Sequence, residues 1–170
     1  MRLMLLLFIL IIAPLFSCNG QEHPYILLEQ EKIELRYSTK KDVEKLLGDP
    51  EKIQYFEHGG EDFFWKNFTV CFYDEDRLSF HYDQNDAIIR ITAYALYSKK
   101  IIYLGKDLKS LNKRDVLEQI KTLEERDVII SKNIISYYKK QSENVGICCS
   151  FWFNNNDTIR IIDMYYIGPW

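Results

Sequence analysis

The sequence predicts an α+β fold. Two tandem units, each a helix followed by an antiparallel meander, are expected to form one continuous antiparallel sheet with both helices on one face. Three observations predict this. The stretch from Ser79 to Ile91, Ser-Phe-His-Tyr-Asp-Gln-Asn-Asp-Ala-Ile-Ile-Arg-Ile, returns from Ser150 to Ile161 as Ser-Phe-Trp-Phe-Asn-Asn-Asn-Asp-Thr-Ile-Arg-Ile, so strand, polar turn and strand are written twice. The segment from Gly105 to Val116 can be laid on Lys32 to Val43 with one residue of slack, which puts a helix start at the same place in each half. The repeat spacing of about 70 residues is longer than common solenoid repeats. A unit of that size is barely stable alone, whereas joining two sheets edge to edge buries more apolar area and hides two edges.

In chain order, Met1 to Ser17 reads as a processing signal, to be set aside before fold reasoning. Arg2 is a thin positive start, and Leu3 to Phe16 is an uncharged apolar run too short for a comfortable membrane span, which wants about 20 residues. The run ends in Leu15-Phe16-Ser17-Cys18, which resembles the lipobox of bacterial lipoproteins, with Phe at the middle position off the commonest pattern. That resemblance implies lipidation at Cys18 and an exported protein held on a bacterial membrane, at the periplasmic face or the cell surface. The alternatives are an uncleaved anchor helix or a plain secretory signal. Residues 18–25 form a tether, 26–98 the first unit and 99–170 the second, within one compact domain.

About 150 residues are enough for one domain with a real core. The chain is rich in Tyr and Phe, poor in Gly and Pro, and carries a formal net charge of −3, one unit more negative once Arg2 is removed. No basic footprint argues for nucleic acid. Cys71, Cys148 and Cys149 remain after Cys18. In an exported protein Cys71 can pair with either neighbour of the doublet, or all three can serve as small apolar core residues.

Ile26-Leu27-Leu28 and Ile33 to Tyr37 read as short strands, the second alternating with period two. Thr39-Lys40-Lys41-Asp42 supplies a capping box. Val43, Leu46 and Leu47 give the helix behind it one apolar stripe, and Gly48-Asp49-Pro50 stops it. Strands follow at Ile53 to Phe56, Phe63 to Trp65, Phe68 to Tyr73, Leu78 to Tyr82 and Ala87 to Tyr94. In the second half Asn112 takes the place of Thr39 and Asp115 that of Asp42, with Val116, Ile120 and Leu123 as the stripe. No Gly-x-Pro stop follows Leu123, so this helix is expected to run longer. Strands are expected at Val128 to Ser131, Ile134 to Tyr138, Val145 to Phe153 and Thr158 to Tyr166.

A helix of the form Ser/Thr-x-x-Asp-Val-x-x-Leu-Leu-Gly-x-Pro, ahead of a meander and behind a lipobox, resembles the outer-membrane assembly lipoproteins of the SmpA/OmlA type. The doubled arrangement is similar to the beta-lactamase-inhibitor-protein fold, in which two such units form one curved sheet that grips a partner. The match covers Ser38 to Pro50 well, Lys109 to Ile120 moderately, and the strands only by order and length. It implies protein binding without catalysis. A partner protein in the cell envelope is expected, with inhibition of, or immunity to, a toxin or hydrolase as the alternative.

The repeated hairpin allows faces to be assigned. With Asp83 to Asp86 as the loop, Tyr82 faces Ala87, Phe80 faces Ile89 and Leu78 faces Ile91, all towards the helices. Shortening the second loop to Asn155-Asn156-Asp157 pairs Phe153 with Ile159 and Phe151 with Ile161 on the core side. Trp152 then faces Arg160 on the open side, and Arg90 and Arg160 occupy corresponding open-face places. Trp and Arg are enriched at interface hot spots, so His81, Arg90, Trp152 and Arg160 are the expected partner-binding residues. The alternative is an open face that is merely solvated, or covered by the N-terminal segment and Pro169-Trp170. No nucleophile, phosphate loop or ligand spacing suggests catalysis, a cofactor or a metal. The acidic residues at Glu61-Asp62 and Asp74-Glu75-Asp76 sit at turns, with the wrong spacing for an EF-hand.

Overall fold

The computed structural model describes residues 24–58, 66–122, 126–142 and 145–168. The leader, Cys18, His23, Glu61-Asp62, the strand expected at Phe63 to Trp65 and Pro169-Trp170 lie outside the described residues.

The fold is mostly antiparallel sheet with two helices. Strands β1 (Tyr25–Leu28) and β2 (Glu31–Glu34) precede α1 (Lys40–Leu47), and β3 (Lys52–His58), β4 (Lys66–Tyr73), β5 (Leu78–Tyr82) and β6 (Ile88–Tyr94) follow it. The second half runs β7 (Ile101–Tyr103), β8 (Lys106–Asp107), a 3-10 turn at Leu108–Ser110 and α2 (Lys113–Thr122). Then come β9 (Arg126–Ile130), β10 (Ile134–Ser142), β11 (Val145–Phe153) and β12 (Ile159–Ile167). Both helices begin where a carboxylate satisfies the backbone donors that a helix start leaves open. Asp42 accepts from the backbone N–H and the hydroxyl of Thr39 at 2.7 and 2.8 Å. Asn112 and Asp115 exchange two bonds, each side chain accepting from the other's backbone N–H at 3.1 Å. Gly48, at φ 81, ends α1.

One expectation is corrected. The strands form two sheets rather than one, and less of the chain is helical than a layer built from helices alone requires. The eight-stranded sheet has the order β3-β4-β5-β6-β12-β11-β10-β9, so the two meanders do meet edge to edge, at β6 and β12. The lead-in segments make a separate four-stranded sheet, β2-β1-β7-β8, through pairs such as Leu28 with Ile101. The physical reason is coverage. Two helices of 8 and 10 residues are too short to roof eight strands, and a small sheet with one apolar face fills the remaining area. Ile26, Leu28 and Ile33 come down from it, with Leu35 just beyond β2. They join Val43, Val116 and Ile120 of the helices over Phe80, Tyr82, Phe151 and Ile162 in one buried cluster.

The repeated hairpin also differs from the expected register. In both copies the loop has three residues, closed by Asp83 N–H donating to the Ala87 carbonyl (3.0 Å) and Asn154 N–H to that of Thr158 (2.8 Å). Asp86 and Asp157 sit in the left-handed region at φ 60 and 61, as the last residue of such loops requires. A bulge follows in each copy, between His81 and Tyr82 on one side and between Trp152 and Phe153 on the other. Tyr82 therefore pairs with Ile88 rather than Ala87, and Phe80 with Ile91 rather than Ile89. Phe153 pairs with Ile159 as expected, but Phe151 pairs with Ile162 and Trp152 with Ile161. Ile89 and Arg160 are the extra residues of the two bulges. Arg90 and Arg160 consequently do not correspond: Arg90 matches Ile161, and Arg160 matches Ile89. A bulge changes which face a residue takes without leaving a mark in a period-two pattern.

Candidate functional site

The face of the eight-stranded sheet turned away from the helices is the candidate site. Its rows follow from strand pairing. Ser79, Thr92, Asp163, Ser150 and Ser136 lie side by side across β5, β6, β12, β11 and β10. At the strand spacing of an antiparallel sheet this small polar row spans about 19 Å. Larger side chains flank it. On one side the row is His81, Arg90, Tyr165, Cys148 and Tyr138, and on the other Tyr94, Ile161, Trp152 and Ile134. Apolar Phe68, Val70 and Ile89 form a second buried cluster on this side, with Phe72 and Tyr165 packed against it.

Asp163 is the anchor of the face. It is 3% exposed, yet its carboxylate is met on three sides. Arg90 donates to both oxygens, from Nε and Nη2, at 2.7 Å each, and the Thr92 hydroxyl donates at 2.9 Å. The fork-to-fork geometry, with the Thr92 hydroxyl as a third donor, offsets much of the cost of burying the charges. The same guanidinium lies 5.7 Å from the Tyr165 ring centroid. The hydroxyls of Ser136 and Ser150 complete the row with a 2.8 Å bond.

The four sequence-predicted residues fall into two pairs. Arg90 spends its guanidinium on Asp163, and His81 stacks on Phe68 with ring centroids 5.7 Å apart. His81 keeps a little exposed surface, but its Nδ1 is sealed from water, and the environment of the nitrogen sets its protonation. Burial, aided by the nearby Arg90 charge, lowers its pKa to about 3, so the imidazole is neutral at ordinary pH. Trp152 is half-buried and Arg160 exposed, so these two face solvent but are not cross-strand partners.

Asp163, Thr92, Tyr165 and Ile161 were not singled out from the sequence. The available signal was Asp163 itself, a lone acid inside the apolar run Ile161-Ile162-Asp163-Met164. Its partner Arg90 lies far away in the chain and is reached only through the β6–β12 pairing.

Among the described residues no group of three His, Cys, Asp or Glu is placed to hold a metal. Cys71, Cys148 and Cys149 are free and buried, so neither possible disulfide forms. Burial raises all three thiol pKa values, that of Cys149 to about 12. The acidic turn is occupied by its own chain: the Glu51 carboxylate accepts from Asp74 and Glu75 N–H groups at 3.0 and 2.9 Å, and Asp74 accepts from Ser98 N–H at 2.7 Å. No helix among the described residues is long and apolar enough to cross a membrane. No known family, no curated protein and no solved structure matches the chain.

Proposed function

We propose that this chain is a non-catalytic bacterial lipoprotein, anchored through lipid on Cys18, that binds another protein of the cell envelope through the open face of its sheet. In this reading the chain is two tandem helix-plus-meander units. The observation that carries it is the composition of that face. Trp152, Ile161, Tyr165 and Tyr138 flank a polar row in which Ser79, Ser150 and Asp163 are buried and Thr92 and Ser136 half-buried, with Arg160 projecting beside them. Aromatic and arginine side chains are what protein interfaces enrich. Arg90 and His81 contribute by holding the floor of the face rigid, and Trp152 and Arg160 are the residues offered to the partner.

The test is capture from the membrane fraction. Trp152→Ala with Arg160→Ala is expected to weaken recovery of a co-purifying envelope protein while leaving thermal unfolding nearly unchanged. A large loss of stability would assign both side chains to packing, and a cytosolic partner would sink the lipoprotein reading. The same face would serve an inhibitor or immunity protein, and a stoichiometric complex with a hydrolase would favour that alternative.

A further inference from the structure

A cavity of about 380 Å³ opens on the opposite side of the sheet, in the second half of the chain. It lies near the lower end of the size range of small-ligand pockets. Its floor is the ring system of Tyr103, Tyr137 and Phe151, its wall Ile120 and Gln119 of α2, and Lys139 stands among the residues that line it. Tyr103 and Tyr137 lie 5.7 and 6.1 Å from Phe151, centroid to centroid, and Phe151 is fully buried. Phe151 is thus closed off beneath the two tyrosines, and the narrow exposed edges of Tyr103 and Tyr137 are what reach the cavity.

The site departs from its counterpart in the first half in ways that open and polarise it. The pairing of Tyr137 with Cys149 matches that of Tyr73 with Leu78, so the two tyrosines correspond. Tyr103, however, stands where the first half has Leu28, each being the second core-facing residue of its strand, and Gln119 stands where α1 has Leu46. An aliphatic side chain that would close the wall has been replaced by a polar one at an exposed position. The hydroxyls of Tyr103 and Tyr137 approach each other to 3.4 Å, and each also meets the buried Cys149 thiol.

Charge decides the class of ligand. Lys139 lies on the helix-side face of β10, two residues from Tyr137 and opposite Ile147, and no carboxylate among the described residues pairs with it. A cation beside an apolar, ring-lined hole suits an amphipathic anion. We infer that this cavity binds a small aromatic monocarboxylate, its ring over the edges of Tyr103 and Tyr137 and its carboxylate on Lys139.

Calorimetric titration of the purified chain with 3-phenylpropanoate tests this, alongside 3-phenylpropan-1-ol and decanoate, with amide spectra to locate the site. Saturable binding of the phenylpropanoate is expected, with shifts centred on Gly105, Gln119 and Tyr137. The alcohol is expected to bind at least tenfold more weakly. Lys139→Gln should weaken the acid to the level of the alcohol and leave the alcohol unchanged, and Gln119→Trp should fill the hole and abolish both. Absence of saturation, shifts elsewhere, or equal binding of acid and alcohol would overturn the proposal. Tighter binding of decanoate would replace the aromatic ligand by an acyl chain and overturn the assignment of class. If Gln119→Trp fails to fold, the change at half-buried Lys139, Lys139→Gln, still decides the matter.

Discussion

Removing either half of the Arg90–Asp163 pair should reveal how the centre of the sheet is held. Breaking a buried, hydrogen-bonded ion pair by deleting one partner costs about 3–5 kcal/mol, because the other charge is left stranded. The two deletions are not equivalent here. The Asp163 side chain is 4% exposed and would retain only Thr92, whereas Arg90 is 23% exposed and can recover some water. Arg90→Ala is therefore expected at the upper end of that range and Asp163→Ala at about 2–3 kcal/mol. In a chain of this size that corresponds to Tm losses of roughly 10 °C and roughly 6 °C. The double replacement Arg90→Leu with Asp163→Leu removes both charges and should lie within about 2 kcal/mol of the parent, so the cycle returns a strong coupling. Urea and thermal unfolding of the four proteins measure this. Single losses below about 1 kcal/mol, or an additive cycle, would refute the claim that the pair works as a buried unit.

His81 supplies a pH dependence of defined sign: the unfolded chain takes up its proton near pH 6.5, while the folded imidazole resists protonation until about pH 3. Stability should be fully present above pH 6.5 and fall by up to ~1.4 kcal/mol per pH unit as pH drops towards 3; urea midpoints of His81→Gln should show a shallower acid slope. With three buried free thiols of raised pKa, thiol reagent at neutral pH should label none of Cys71, Cys148 or Cys149 quickly in the native protein and all three in denaturant. A fourth reactive thiol in the mature protein would argue against lipid on Cys18. Asp115→Ala removes the carboxylate that caps α2 and accepts from Lys106, and should cost about 1 kcal/mol in chemical unfolding, as lost caps do. No change in the unfolding midpoint would mean that water replaces the cap.

Much of the element order was legible because it rests on local chemistry. Leu78 to Tyr82 and Val145 to Phe153 emerge as strands with the expected bounds, and Thr39 with Asp42 and Asn112 with Asp115 start helices where the capping pattern placed them. The repeated turn was legible too, since Asp86 and Asp157 mark the left-handed position after polar residues. The site was only partly so. Two adjacent isoleucines, Ile88 and Ile89, fit either face equally well by hydropathy, and only the bulge decides that Ile88 turns to the helices and Ile89 to the other side.

By itself, then, the sequence determined the duplicated pattern of helix start, strand and polar turn, because capping, alternation and left-handed turn residues act over a few neighbouring positions. Tertiary structure alone decided that β1, β2, β7 and β8 separate into a second sheet. It alone decided that Arg90 faces Asp163 rather than solvent, and that Arg160 is a bulge residue rather than the partner of Trp152. Each of these depends on which strands meet across the midline and by what offset. A one-residue shift of register costs little locally and reverses every side chain beyond it.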